Sequence, residues 1–128
     1  MKPDPLTIQV GLSLADARQR MFDHHIRHLP VVEGERLVGV LSERDIVRAE
    51  ATRVPLRAQR VEQVMRTSPY VCHPDELLSR VATDMAQHRY GCAIVVERDR
   101  VVGMFTTVDA LNRLAALCGL VEMMAQVG

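Results

Sequence analysis

Gly39-Val40-Leu41-Ser42-Glu43-Arg44-Asp45 and Gly103-Met104-Phe105-Thr106-Thr107-Val108-Asp109 are the stretches whose reading decides the fold. Each runs Gly, two apolar residues, a hydroxyl residue, two variable residues and an Asp. They stand 64 positions apart in a chain of 128, so the chain is a doubled unit. Each copy closes a β-like apolar run and opens a helix-like one, with Ser42 and Thr106 as N-caps at the junction. Working outward, the register holds without a gap. Val31-Val32-Glu33 matches Val95-Val96-Glu97, Arg36 matches Arg100, Leu14 matches Leu78, and Met21 matches Met85.

The hydrophobic pattern predicts strand, helix, strand, strand, helix in each half. Residues 1–5, with two prolines, read as a loose arm, and Thr7–Val10 as a short strand. Ser13 caps a helix whose apolar face takes Leu14, Ala17, Met21 and His25, and which ends near His24–His28. Leu29–Val32 and Arg36–Leu41 form a hairpin through Glu33-Gly34-Glu35, and a helix runs from Ser42 to about Ala51. Thr52–Arg60, broken by Pro55, reads as a linker. In the second half, Val61–Met65 is a helical turn and Tyr70-Val71-Cys72 a strand. Pro74-Asp75-Glu76 opens a helix with Leu78, Val81, Ala82 and Met85 on its apolar face. Cys92–Val96 and Arg100–Phe105 form the second hairpin, and Thr106 caps a long helix from Thr107 to about Gln126. The expected class is α+β: two β-α-β-β-α repeats, residues 1–60 and 61–128, related by a pseudo-two-fold axis, with small sheets packed on helices. Neither half can bury both faces of its sheet alone, so the halves should share a core.

Composition narrows the function. A hydrophobic fraction of 48% fills a core, but no apolar run approaches the ~20 residues of a membrane span. The start, Met1-Lys2-Pro3-Asp4-Pro5, has no apolar h-region, and a cytoplasmic protein is expected. The net charge of zero argues against a general attraction to nucleic acid or anionic lipid. Lys2 is the single lysine, and Arg suits bidentate phosphate contacts, although a compositional bias accounts for it equally well. Cys72, Cys92 and Cys118 have no metal-site spacing; Cys92 and Cys118, in apolar surroundings, read as buried thiols of a reducing compartment.

The doubled unit resembles a tandem pair of cystathionine-β-synthase (CBS) domains, a Bateman module. The resemblance covers roughly residues 5 to 122. It is carried by His28-Leu29-Pro30-Val31-Val32 leading to Gly39–Asp45, and by Cys92-Ala93-Ile94-Val95-Val96 leading to Gly103–Asp109. Val64-Met65 followed by Ser68-Pro69 and Val71 resembles the family's entry into a repeat. The resemblance implies a regulatory module that binds an adenosine-containing ligand: AMP, ADP, ATP or S-adenosylmethionine, sometimes NAD. It requires no cofactor and attaches to, or associates with, an enzyme or transporter. It also implies a disc-like homodimer.

By that resemblance, Asp45 and Asp109 would hold the ribose, and Ser42 and Thr106 the ribose or phosphate. The chemistry fits, because an ionised carboxylate can accept from both vicinal hydroxyls of a ribose, and a helix N-terminus favours anions. The same Ser-x-x-Asp and Thr-x-x-Asp spacing also makes capping boxes that need no ligand, and both readings stand at this point. Candidates for the base are Ile8, Leu29 and Pro30 in one cleft and Tyr70, Val71, Cys92 and Ala93 in the other; packing alone is the alternative for each. Phosphate candidates are His24 and His25 toward Asp109, and His88 and Arg89 toward Asp45, with Arg44 beside Asp45; the alternative is a solvated helix end. Val108 stands where Arg44 does, so unequal clefts are expected.

His24, His25 and His28 do not make a metal site, since neighbouring residues on a helix point about 100° apart and no further ligands complete a set. No nucleophile elbow, phosphate-binding loop or His-Glu-x-x-His motif is present, so no enzyme is expected. The Ala/Leu/Met-rich stretch from Ala110 to Val127, with a stripe of Leu111, Leu114, Leu117 and Val121, keeps a second function open: a ligand-free dimerisation or adaptor module.

Overall fold

A computed structural model gives the fold and describes residues 2–3 and 6–127. The chain opens with strand β1 (Lys2–Pro3), followed by β2 (Ile8–Gln9), α1 (Leu14–His24), β3 (His28–Glu33), β4 (Arg36–Ser42) and α2 (Glu43–Glu50). A 3₁₀ turn at Leu56–Ala58 leads into α3 (Val61–Val64). The second repeat continues through β5 (Val71–Cys72), α4 (Leu78–His88), β6 (Cys92–Glu97), β7 (Arg100–Thr106) and α5 (Thr107–Val127). One sheet has the order β2-β3-β4 and the other β1-β7-β6-β5. In both, a short parallel strand flanks an antiparallel hairpin. The two hairpins pair in the same register, His28 with Ser42 and Cys92 with Thr106. Both carry a bulge at the same place, Val31/Val32 and Val95/Val96.

The repeats share a core, as two half-buried sheets require. Val40, Cys92, Ile94 and Met104 are buried together between them, with Leu37, Val96 and Val101 packed alongside. Val40 and Met104 are equivalent positions, so the pseudo-two-fold axis passes between β4 and β7. Each repeat also has its own core beneath its helices. In the first it contains Ile8, Leu14, Ala17, Leu29, Leu41 and Ile46. In the second it contains Cys72, Val81, Met85, Ala93, Val95 and Phe105.

Several expectations are corrected. The N-terminal arm is not wholly loose: Lys2 and Pro3 pair antiparallel with Met104 and Gly103, while Met1, Asp4 and Pro5 lie outside the described residues. The segment 52–60 is more than a linker, because Leu56 is buried and the Gln59 amide donates to the Ala49 and Val54 carbonyls. α3 opens the second half in sequence, yet Val61 lies in the first core. α4 begins at Leu78 rather than at Pro74, and Leu78 is 42% exposed. Cys118 is exposed, because α5 extends away from the sheet past its first turns.

Candidate functional site

The strand-to-helix junctions form as the doubled motif predicts. Ser42 adopts an extended conformation at the end of β4 and caps α2. The Asp45 amide donates to Ser42 Oγ at 3.2 Å, and the Ser42 amide donates to Asp45 Oδ2 at 2.9 Å. The second junction repeats this. The Asp109 amide donates to Thr106 Oγ1 at 3.2 Å, and the Thr106 amide donates to Asp109 Oδ2 at 2.8 Å. The capping reading is therefore met in both halves. It does not exhaust the carboxylates. Among the described residues each Asp uses only Oδ2, leaving Oδ1 free to accept.

The surroundings of the two junctions differ. Asp45 is buried, whereas Asp109 is more exposed. Beside Asp45 stands His28, at the start of β3 and paired in register with Ser42. Burial lowers the His28 pKa; Asp45 opposes this, and Arg27 and Arg66 add to it. The Arg27 side chain reaches Glu43, the first residue of α2, at 3.6 Å. His28 also packs on the other repeat: a Cβ added at Gly91 would lie 2.8 Å from its Nε2. Gly91 thus makes room for the imidazole across the repeat interface. The register equivalents of His28 and Gly91 are Cys92 and Arg27, so the two junctions are flanked by different groups. Gly39 has a comparable role. A Cβ there would meet Met65 Sδ at 2.6 Å and the Arg66 carbonyl oxygen at 2.7 Å, and Val40 exchanges backbone hydrogen bonds with Arg66.

The base candidates are dispersed. Ile8, Leu29 and Ala93 are 0% exposed, so their side chains belong to the cores, and Pro30 and Cys92 are also buried. Burial pushes the Cys92 thiol up to about 11, against the pull of Arg66. Val71 is exposed. Tyr70 stands in an aromatic stack with Tyr90, centroids 4.9 Å apart, and Tyr90 stacks in turn on His88 at 5.1 Å. The Tyr70 hydroxyl donates to Asp84 Oδ2 at 2.9 Å.

Of the phosphate candidates, His24 is exposed at the end of α1, and Arg44 is exposed on α2. His25 and Arg89 take the left-handed conformation, φ 53° and 58°, that ends α1 and α4. His88 Nδ1 lies 2.9 Å from the Asp84 carbonyl oxygen. No ion pair or hydrogen bond joins these five residues to Asp45 or Asp109 among the described residues. The groups whose charge environment meets at this junction, His28 and Arg66, are not among the ligand contacts expected from sequence. One signal points to the first of them: His28 is the register equivalent of Cys92, which is a base candidate.

Among the described residues no cluster of His, Cys, Asp and Glu could hold a metal ion, and no helix is long and apolar enough to cross a membrane.

The CBS domain family matches the chain twice, over residues 1–52 and 61–116. The AcuB protein of Vibrio cholerae, by its name a putative acetoin utilization protein, has a similar structure. The TM-score is 0.85 at 31% identity, covering 96% of this chain and 92% of that one. The CBS domain pair of protein MJ0100, solved with 5′-methylthioadenosine and S-adenosyl-L-methionine, is similar at TM-score 0.82 and 30% identity, covering 91% of each chain. In sequence the chain is 32% identical over 116 residues to a homoserine O-acetyltransferase of Methanohalobium evestigatum. It is 32% identical over 112 residues to an L-aspartate semialdehyde sulfurtransferase of Methanocaldococcus jannaschii. It spans 89% and 86% of its own length in these matches but only 23% and 21% of the relatives.

Proposed function

The chain belongs to the CBS domain family, and from that premise we propose that it is a regulatory CBS pair whose inter-repeat clefts bind an adenosine-containing ligand. The observation that carries this reading is the unused Oδ1 of Asp45 and Asp109, each at a helix N-terminus beside a hydroxyl residue. A ribose diol supplies the donors such an oxygen lacks. The adenosine-type molecules held by the CBS pair of MJ0100 support the ligand class. S-adenosylmethionine and methylthioadenosine stand beside AMP, ADP and ATP as candidates. For the phosphate-bearing ligands, His24, His25, Arg44, His88 and Arg89 are the proposed contacts, which the ligand would have to draw in. No catalytic role is proposed. The ligand would bias a partner by binding two conformations unequally. The partner class we infer is an enzyme or transporter, and the enzyme names of the larger relatives reported above support the first. Three free thiols suit a reducing, cytoplasmic setting.

Calorimetry with methylthioadenosine, S-adenosylmethionine, AMP, ADP and ATP tests the reading. Asp109→Asn and Asp45→Asn keep an oxygen for the cap but lose the charge. Affinity in the occupied cleft should fall about 10-fold or more, since hydrogen bonds to charged groups contribute about 1.5–3 kcal/mol. Thermal stability should barely move. If no compound of the panel binds the unmodified protein, the ligand reading fails.

A second reading, a module that pairs with a copy of itself, is favoured by one observation. Leu111, Leu114, Leu117, Val121 and Met124 are all exposed on α5.

A further inference from the structure

The two junctions share one motif, but only one of them is covered. Asp45 is 6% exposed, whereas Asp109 is half-buried. The caps do not account for this, because both junctions make the same two hydrogen bonds at nearly the same lengths. What differs is the side chain that stands beside each.

His28 opens β3 and is paired in register with Ser42, the residue that caps α2. Its imidazole spans from this junction to the backbone of the other repeat. A Cβ added at Gly91 would lie 2.8 Å from its Nε2 and 3.2 Å from its Cε1. Burial lowers the His28 pKa, and Asp45 is foremost among the charges acting on the ring, ahead of Arg27, Arg66 and Glu43. Neither wall of this gap is free to give way. The Gly91 carbonyl accepts from the Thr107 amide at the start of α5, at 3.1 Å. On the other side the ladder of β3 and β4 fixes the His28 backbone.

The second junction is built otherwise. Cys92 takes the place of His28, and its short side chain is buried in the shared core with Val40, Ile94 and Met104. Arg27 takes the place of Gly91, and its side chain is mostly exposed. Imidazole and ribose are both five-membered rings of similar size. A ribose could reach the Asp45 carboxylate from the repeat interface only by displacing the imidazole. No such ring stands at the register-equivalent position beside Asp109.

We propose that the His28 imidazole closes the Asp45 cleft, so that each chain binds one adenosine-type molecule, at Asp109. The side chain at position 28 thus decides how many clefts are open. This rests on the ligand reading above and specifies which cleft it uses.

The test is calorimetry on the full chain with methylthioadenosine, S-adenosylmethionine, AMP, ADP and ATP, read as stoichiometry. The unmodified protein should bind one molecule per chain, and Asp109→Asn should weaken that site about 10-fold or more. His28→Gly should raise the stoichiometry to two. Asp45→Asn in the His28→Gly background should return it to one. Circular dichroism checks that each variant is folded, and His28→Ser carries the same arms if His28→Gly is not. Two molecules per unmodified chain overturn the inference and leave the ligand reading standing. So does a folded His28→Gly or His28→Ser variant that still binds one. If Asp45→Asn, rather than Asp109→Asn, weakens the single site of the unmodified protein, the open cleft is the other one and the inference is overturned. If no compound binds any of these proteins, the ligand reading and this inference fail together.

Discussion

His28 and Cys92 occupy one position in the repeat and do different work. Cys92 is buried between the sheets, while His28 sits half-buried beside Asp45 and against Gly91. Burial lowers the His28 pKa below its ordinary 6.5, so the folded state binds a proton there less readily than the unfolded chain. Below 6.5 the unfolded state then gains protons first, and stability is lost as pH falls from 6.5 toward the folded pKa. Asp45 and Glu43 oppose that loss; Arg27 and Arg66 reinforce it. Urea denaturation at about pH 7.5, above that window, and at about pH 5.5, below its upper edge, should therefore show a smaller stability drop for His28→Asn than for the unmodified protein. An equal drop in both would assign the pH dependence to other groups. The caps are legible in the sequence because Ser42 to Asp45 is a local spacing. The partnership of His28 with Gly91 is not, because it joins residues 63 positions apart across the repeat interface.

The helices α1 and α4 show the same contrast one level up. Each has 11 residues and ends in a left-handed residue, His25 or Arg89. They begin differently. Ser13 caps α1, accepting from the Asp16 amide at 3.1 Å, while the equivalent Leu77 offers α4 no side-chain cap and is 72% exposed. Leu77→Ser should stabilise the protein by about 0.5–1 kcal/mol, read as a shift in the urea midpoint with unchanged slope. No gain would mean that Leu77 makes apolar contacts worth as much as the cap. The sequence points to Pro74 as the start of this helix because proline suits a first turn. The chain instead makes turns at residues 74–76, with Glu76 Oε1 accepting from the His73 amide, and enters the helix later.

For the molecule as a whole, stability should be held by the shared core more than by surface charge. The Arg100–Glu35 ion pair is 2.8 Å long and links the two repeats, but both side chains are mostly exposed, so solvent screens it. Ile94 is 0% exposed between the sheets. Ile94→Ala should cost about 2–5 kcal/mol, and Arg100→Ala less than about 1 kcal/mol. Calorimetry should show one unfolding transition in both variants, lowered in Ile94→Ala. Two separated transitions would show that the repeats fold independently and that the shared core couples them weakly.

The doubling, the strand-helix order, both hairpins and the two capped junctions are all written in the order of the residues. They depend on local periodicity and short hydrogen-bond spacings. Which residues flank those junctions, that residues 52–61 plug the first core, and that α5 leaves the second one open became visible only in three dimensions. Those outcomes depend on where a chain goes after its last turn. α2 ends at Glu50, where the Thr52 hydroxyl and the Gln59 amide donate to the Ala49 carbonyl, and Pro55 beyond it cannot resume a helix, whereas α5 runs on through the equivalent Gly119 to Val127.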